Sequence, residues 1–198
     1  MDVVLGGELF SHMQDVGILD KKDITFYSAQ IVVMLDYLHS YDIAFRDLKP
    51  ENLLITNTGY LKLVDFGLSK VIVGDTKTFT VCGTPTHMAP EVYAGRGHTK
   101  MVDWWSFGVL IHEFTFGHVP FVGSTPQGIY LEILSYSASY ESFEFPPSVQ
   151  SNITSIIKRL LNPDPKNRIN SSGAKSKSIF SDKFFEKFSW VDLMKSMI

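Results

Sequence analysis

The chain has 198 residues, 44% of them hydrophobic and 13% aromatic, enough apolar material to bury one full core. A net charge of −3 and a sequence pI near 6.0 argue against nucleic acid or an anionic membrane surface as the main partner. No apolar run reaches the roughly 18 residues of a membrane span, and the single cysteine, Cys82, excludes an internal disulfide and suits a reducing compartment.

The first residues, Met-Asp-Val-Val-Leu-Gly-Gly, lack the basic region and apolar core of a signal peptide, so cytoplasm or nucleus is the expected location. Residues 5–19 hold Leu9, Phe10, Met13 and Val16 at helical spacing. Asp20, with Asp23 three places on, is an N-cap signal. The following helix carries Phe26, Ala29, Ile31, Val32, Val33, Leu35 and Leu38 on more than one face, predicting a buried central helix that ends near His39-Ser40. Residues 42–56 read as a loop flanked by short strands. Leu53-Leu54-Ile55 and the run from Tyr60 to Asp65 flank Asn57-Thr58-Gly59, a hairpin signal.

Residues 74–84 are polar and Thr-rich, which predicts a mobile loop. Residues 101–116 form a strongly apolar helix stopped by Gly117. Residues 135–148 read as a surface loop, and 153–161 as a helix halted by Asn162-Pro163-Asp164-Pro165. Residues 170–178 are expected to be flexible, and the cluster Phe180, Phe184, Phe185, Phe188 and Trp190 to pack back on the body. There is no internal repeat and no sign of a second domain. The expected class is α+β, mainly helical, with small hairpins at one end.

Chemistry concentrates in two stretches, Phe45-Arg46-Asp47-Leu48-Lys49-Pro50-Glu51-Asn52 and Asp65-Phe66-Gly67, eighteen positions apart from Asp47 to Asp65. Arg-Asp-Leu-x-x-x-Asn puts a carboxylate where it can accept a hydroxyl proton and an amide oxygen five positions on, beside a metal. Asp65 adds a second hard oxygen, which suits magnesium. Either stretch alone is common by chance. Both in order, followed by Ala89-Pro90-Glu91, point to transfer of the terminal phosphoryl group of ATP. Such transfer also uses a Gly-rich loop, a strand lysine and a helix glutamate. Gly6-Gly7 lacks the G-x-G-x-x-G spacing and no Val-Ala-x-Lys run occurs, so these 198 residues read as one lobe of a two-lobed enzyme.

The stretches GGELF, YLHSYDIAFRDLKPENLLI, GYLKLVDFGLSK, TFTVCGTP, MAPE, VDWWSFGVLIHEF and FFEKFSWVDL resemble the C-terminal lobe of a serine/threonine protein kinase of the AGC group. The likeness covers essentially the whole chain and is nearest the cyclic-nucleotide-dependent kinases. Val102-Asp103-Trp104-Trp105 leans to the cyclic-AMP type, whereas Lys77-Thr78-Phe79-Thr80 is equally at home in the cyclic-GMP type. The resemblance implies the mainly helical large lobe of the kinase fold over residues 1–188, with short β-hairpins at the catalytic loop. It further implies the start of a C-terminal extension over 189–198 and no N-terminal lobe.

In that likeness Asp47 is the catalytic base, Lys49 the cation that meets the γ-phosphoryl, and Asn52 and Asp65 the magnesium ligands. Thr84 is the hydroxyl that bonds Asp47 and selects Ser/Thr substrates. Met1 falls at the gatekeeper position, Asp2 to Val4 along the hinge and Leu54 beneath adenine, so Val4, Glu8, Leu54 and Asp65 are the nucleotide-side residues. Thr80 matches the activation-loop phosphosite gripped by Arg46 and Lys70. Glu8 and Glu51 match positions that receive arginines upstream of the phosphorylated residue, and Val81, Pro85 and Met88 the apolar pocket for the residue after it. ATP, Mg2+, protein substrates with upstream basic residues, and a regulatory subunit or domain are the implied cofactors and partners.

Glu91 with Arg168 resembles a buried ion pair, and Asp103 an aspartate that holds the catalytic loop. Three positions depart from the pattern. Phe45 replaces His or Tyr, Thr86-His87 replaces the usual Glu-Tyr, and Leu131 stands where an acid is expected after Tyr130. Two explanations of the missing motifs compete: a fragment of a working kinase, or a catalytically impaired, pseudokinase-like docking module without the ATP-binding lobe.

Overall fold

Helix α2 (Lys21–Ser40) begins where Asp20 predicts, because that carboxylate accepts from the backbone N–H groups of Lys22 at 2.8 Å and Asp23 at 2.9 Å. Ile24, Ala29, Ile31, Val32, Leu35 and Leu38 are buried along it, so α2 is the central helix its all-round apolar sequence requires. The computed structural model describes residues 6–142, 144–170 and 178–196. Val4 and most of the polar stretch 170–178 lie outside the described residues.

Before α2 lies α1 (Leu9–Val16), whose Leu9 and Met13 face the core. After the catalytic segment come α3 (Pro90–Tyr93), α4 (Met101–Phe116), α5 (Pro126–Ser139), α6 (Ser151–Leu160) and α7 (Trp190–Ser196). Helix α4 is buried almost all round, with Trp104, Trp105, Phe107, Leu110 and Phe114 inside, and ends at Gly117 in the left-handed conformation (φ 75°). It packs against both α2 and α6. A Cβ at Gly108 would stand 2.8 Å from Leu160 Cβ, so the α4–α6 approach requires glycine there. No described helix is long and apolar enough to cross a membrane.

Two small antiparallel pairs complete the lobe. Strand β2 (Leu53–Ile55) pairs with β3 (Leu61–Leu63) in the register Leu53↔Leu63, as the hairpin signal predicts. Strand β1 (Ile43–Ala44) pairs with β4 (Lys70–Val71), a contact of two-residue strands that no sequence period could announce. Mainly helical with short strand pairs, the architecture is the expected α+β class.

Two expectations need correction. Residues 135–139 belong to α5, which starts at Thr125, whose hydroxyl accepts from Gly128 N–H, and Pro126. Ile129, Ile133 and Tyr136 carry the buried helical period, and Ser137 and Ser139 satisfy their hydroxyls on the Ile133 and Ser135 carbonyls. Residues 74–84 are not uniformly loose: Thr78 is buried and bridges to His98 through reciprocal backbone bonds of 3.0 and 2.8 Å. Within Asp-Phe-Gly it is not the glycine that takes the left-handed conformation. Asp65 does, at φ 61° and ψ 72°, while Gly67 leaves room for the Asp65 carboxylate, which would lie 3.1 Å from a Cβ.

Candidate active site

Asp103, fully buried on α4, organises the loop between α2 and β2. Its Oδ2 accepts from Phe45 N–H at 2.9 Å and from His39 Nε2 at 2.8 Å, and its Oδ1 accepts from Arg46 N–H at 2.8 Å. Arg46 sits in the left-handed region at φ 71°, a conformation that costs a non-glycine residue about 1–2 kcal/mol. The charge-assisted bonds from Asp103 hold it there. Phe45 is fully buried and its ring meets Phe66 edge-on at 5.3 Å, so the aromatic substitution keeps a packing role beneath the loop.

The strain at Arg46 delivers Asp47 into a closed set of partners. Asp47 Oδ1 accepts from the Thr84 hydroxyl at 2.7 Å and the Thr84 N–H at 3.0 Å, and Oδ2 accepts from Asn52 Nδ2 at 3.1 Å. Lys49 Nζ lies 3.1 Å from Asp47 Oδ2 and donates to Thr84 Oγ1 at 3.0 Å. Burial raises the Asp47 carboxyl, but the bonds from Thr84 and Lys49 together outweigh it and hold Asp47 below the ordinary carboxylate range. Asp47, Lys49, Asn52 and Thr84 are therefore one hydrogen-bonded unit assembled from two segments. Gly83 lets them meet: its φ is +110° and a Cβ there would stand 2.8 Å from the Arg46 carbonyl.

Asp65 joins from the hairpin. Val64 N–H donates to the Asn52 carbonyl at 3.0 Å, next to the Leu53↔Leu63 pair, so Asp65 leaves β3 beside Asn52. Asn52 Nδ2 also donates to the Asp47 carbonyl at 2.8 Å, which turns the amide oxygen away from Asp47. Asp65 Oδ1 accepts from Gly67 N–H at 3.2 Å. The Asn52 amide oxygen, just before β2, and the exposed Asp65 carboxylate, just after β3, are hard oxygen donors, and they fit magnesium in type for a site completed by nucleotide oxygens. Among the described residues no group of three or more His, Cys, Asp and Glu could hold a metal by itself.

Elsewhere the expected residues are placed as follows. Glu8 and Leu54 form an isolated antiparallel bridge, which brings these two nucleotide-side positions together. Glu51 is exposed on the turn Pro50–Asn52, Val81 is 60% exposed, Pro85 is half-buried and Met88 is buried. Thr80 is exposed. Lys70 Nζ donates to Thr78 Oγ1 at 2.8 Å, and Arg46 donates through Nε to the Leu68 carbonyl at 2.7 Å while its Nη1 is buried without a partner. His98, opposite Thr78, is held below the ordinary imidazole range by burial and then by Arg46 and, more weakly, Lys70, so both cations lie near this strip.

Two groups escaped sequence reasoning. His39 was one histidine among several, yet it holds Asp103 from 64 residues away. Glu113 on α4 lies 3.6 Å from His87, just past Thr84, and only its acidic character inside an apolar helix could have drawn notice. Glu91 and Arg168 form the expected buried pair, with bonds of 2.8 and 3.0 Å. A cavity of about 460 Å³ lies away from this chemistry, between α3, α5 and Pro163–Lys166.

Among curated proteins the chain is similar to the Drosophila melanogaster cGMP-dependent protein kinase, isozyme 2 forms cD5/T2. The two are 43% identical over 190 residues, 96% of this chain and 20% of that protein. It is 41% identical to the Drosophila cAMP-dependent protein kinase catalytic subunit 3, over 97% of this chain and 32% of that one. It is 39% identical to the human cAMP-dependent protein kinase catalytic subunit PRKX, over 96% and 51%. The chain thus spans from a fifth to about half the length of these relatives. The family model described as the protein kinase domain matches residues 1–185. Backed by that match and by a loop in which Asp47, Lys49, Asn52 and Thr84 close on one another, the chain belongs to the protein kinase domain family.

Proposed function

We propose that this chain carries the catalytic loop of a serine/threonine protein kinase that moves the γ-phosphoryl group of ATP to Ser or Thr of basic protein substrates. One observation carries the reading: the Asp47 carboxylate is oriented by Thr84, Asn52 and Lys49, in a loop whose Asn52 carbonyl accepts from Val64, the residue before Asp65. Asp47, held ionised, orients the attacking hydroxyl and accepts its proton. Lys49, bonded to the same unit, presents a fixed cation where charge develops on the transferring group. Asn52 and Asp65 would hold magnesium, which when bound neutralises the nucleotide phosphates. The Thr84 hydroxyl ties the substrate-side segment to the base, the basis for assigning Ser/Thr substrates.

Regulation through Thr80 belongs to the same reading. A phosphate there adds about −1.5 to −2 charge two residues from Thr78, which Lys70 bonds and which bridges to His98, a ring that feels the Arg46 charge. Glu8 and Glu51 are exposed carboxylates suited to arginines upstream of the target residue.

The test is incorporation of the ATP γ-phosphate into a serine peptide with upstream arginines, by the protein carrying these residues and by its Asp47→Asn variant. Loss of a positioned base predicts a fall of about 10²–10⁴-fold. Equal incorporation by both would remove Asp47 from the role. The 198 residues contain no Gly-x-Gly-x-x-Gly run and no Val-Ala-x-Lys run. Positioning of the phosphates dominates this chemistry, so we propose that these 198 residues assayed by themselves turn over slowly.

A further inference from the structure

A second cavity, of about 200 Å³, lies between the C-terminal turns of α4, helix α5 and the end of α6. Its inner wall is aromatic and braced from behind. Phe121 meets Tyr136 edge-on at 5.3 Å and stacks on Trp105 at 5.6 Å, and Phe145 stacks on Phe116 at 6.1 Å. Leu161, buried at the end of α6, completes that wall. The mouth is polar, because Glu132, Ser135 and Ser139 are exposed on the face of α5 that also carries Tyr136. Two short serines on this face leave the space open, and Ser139 Oγ is turned back to the Ser135 carbonyl at 3.1 Å.

A ring nitrogen stands in the wall. His112, buried on α4, lines the cavity with its ring 4.4 Å from that of Phe116. Its Nδ1 lies 2.9 Å from the His118 carbonyl, which can only accept, so Nδ1 carries a proton. Burial keeps the ring neutral at pH 7, with its pKa pushed down to about 4. Nε2 is then a lone-pair acceptor, and it makes no hydrogen bond among the described residues. A nitrogen so placed in a buried ring normally finds a donor, which here must come from whatever fills the cavity.

We propose that this cavity binds a small aromatic molecule with one hydrogen-bond donor, a phenol or an indole. Its O–H or N–H donates to His112 Nε2, and its ring lies among Phe121, Tyr136 and Phe145. Size agrees: an apolar cavity of about 150 Å³ takes benzene, and the larger one here leaves room for a polar atom or a second ring. An apolar enclosure with one aimed polar group is the usual make-up of a small-molecule site. Glu132 at the mouth selects against anionic substituents.

The inference does not use the phosphotransfer reading, and its test needs no turnover. Phenol and indole are titrated into the full chain at pH 7.5, with anisole, which has no donor, for comparison. Heteronuclear NMR follows the Ser135 and Ser139 backbone amides and the His112 Nε2 nitrogen. Phenol should saturate the amide shifts and move Nε2 away from its unprotonated position. Anisole should bind about tenfold more weakly, the worth of one hydrogen bond, and leave Nε2 unmoved. Ser135→Leu combined with Ser139→Leu fills the mouth with better helix formers and should weaken phenol about tenfold or more. His112→Phe should remove the preference for phenol over anisole, and should it fail to fold, the serine variant and the Nε2 signal decide. Equal binding of phenol and anisole by the wild type, a stationary Nε2 signal, or undiminished phenol binding in the double serine variant overturns the site.

Discussion

The Thr84 hydroxyl reaches Asp47 Oδ1 at 2.7 Å from 37 residues further along the chain, and the Thr84 N–H reaches the same oxygen at 3.0 Å. One residue thus aligns the candidate base with the segment that would receive substrate. Thr84→Ala should keep the backbone bond, lose the hydroxyl bond to a charged acceptor worth about 1.5–3 kcal/mol, and slow transfer about 10- to 100-fold. Thr84→Ser should recover most of that. Steady-state phosphotransfer on a serine peptide decides it, and an unchanged rate in Thr84→Ala would remove the hydroxyl from the mechanism.

Asp47 titrates low because its bonds to Thr84 and Lys49 outweigh burial. A depressed carboxylate contributes stability above its ordinary value near 3.9, and that contribution is lost as pH falls through the depressed folded value. In Thr84→Ala one of the lowering bonds is gone. The Asp47 carboxyl carbon, followed by NMR, should then titrate at higher pH than in the wild type.

Arg168 is fully buried, bidentate on Glu91, bonded to the Met101 carbonyl and lies over the Trp105 ring at 5.4 Å. Arg168→Ala leaves the Glu91 charge uncompensated and should cost about 3–5 kcal/mol in urea unfolding. Nucleotide affinity should change far less than stability. A midpoint equal to wild type would contradict a buried pair.

Asp103→Ala should strip the Phe45 and Arg46 N–H groups of their acceptor and leave Arg46 to hold φ 71° unaided. Two donors left without their acceptor, one buried and one partly buried, cost about 2–6 kcal/mol together. Because Asp47 follows Arg46 directly, activity should fall even in the fraction that remains folded, which separates this variant from one that is only unstable.

His112 is buried on α4, donates from Nδ1 to the His118 carbonyl at 2.9 Å, and is pushed down to about 4 by burial. For a base lowered on folding, stability is full above its unfolded value near 6.5 and falls as pH drops from there toward 4. Thermal melts should decline over that window. In His112→Gln the decline should be shallower, and an unchanged slope would assign it to other groups.

Much of the fold was readable one segment at a time. The Asp20 cap, the apolar faces of α2 and α4, the Gly117 stop and the β2–β3 turn are each decided within a few neighbouring residues. Residues 135–139 misled because serine is read as a loop former, while buried Ile133 and Tyr136 kept the chain helical. At Asp-Phe-Gly the turn puts Asp65, not the glycine, in the left-handed region, which no residue preference announces.

The sequence by itself determined the chemical parts: a carboxylate, a cation, an amide and a second carboxylate at set intervals, because such spacing is local and each residue type has one suitable chemistry. Only the tertiary structure decided which of them touch. The bonds from Thr84 to Asp47, from Asp103 to the loop and from Arg168 to Glu91 span 37 to 77 residues, and the facing of His87 and Glu113 joins a turn to a helix. Contacts that distant are set by how α4 packs against its neighbours, and no periodicity within a segment encodes that packing.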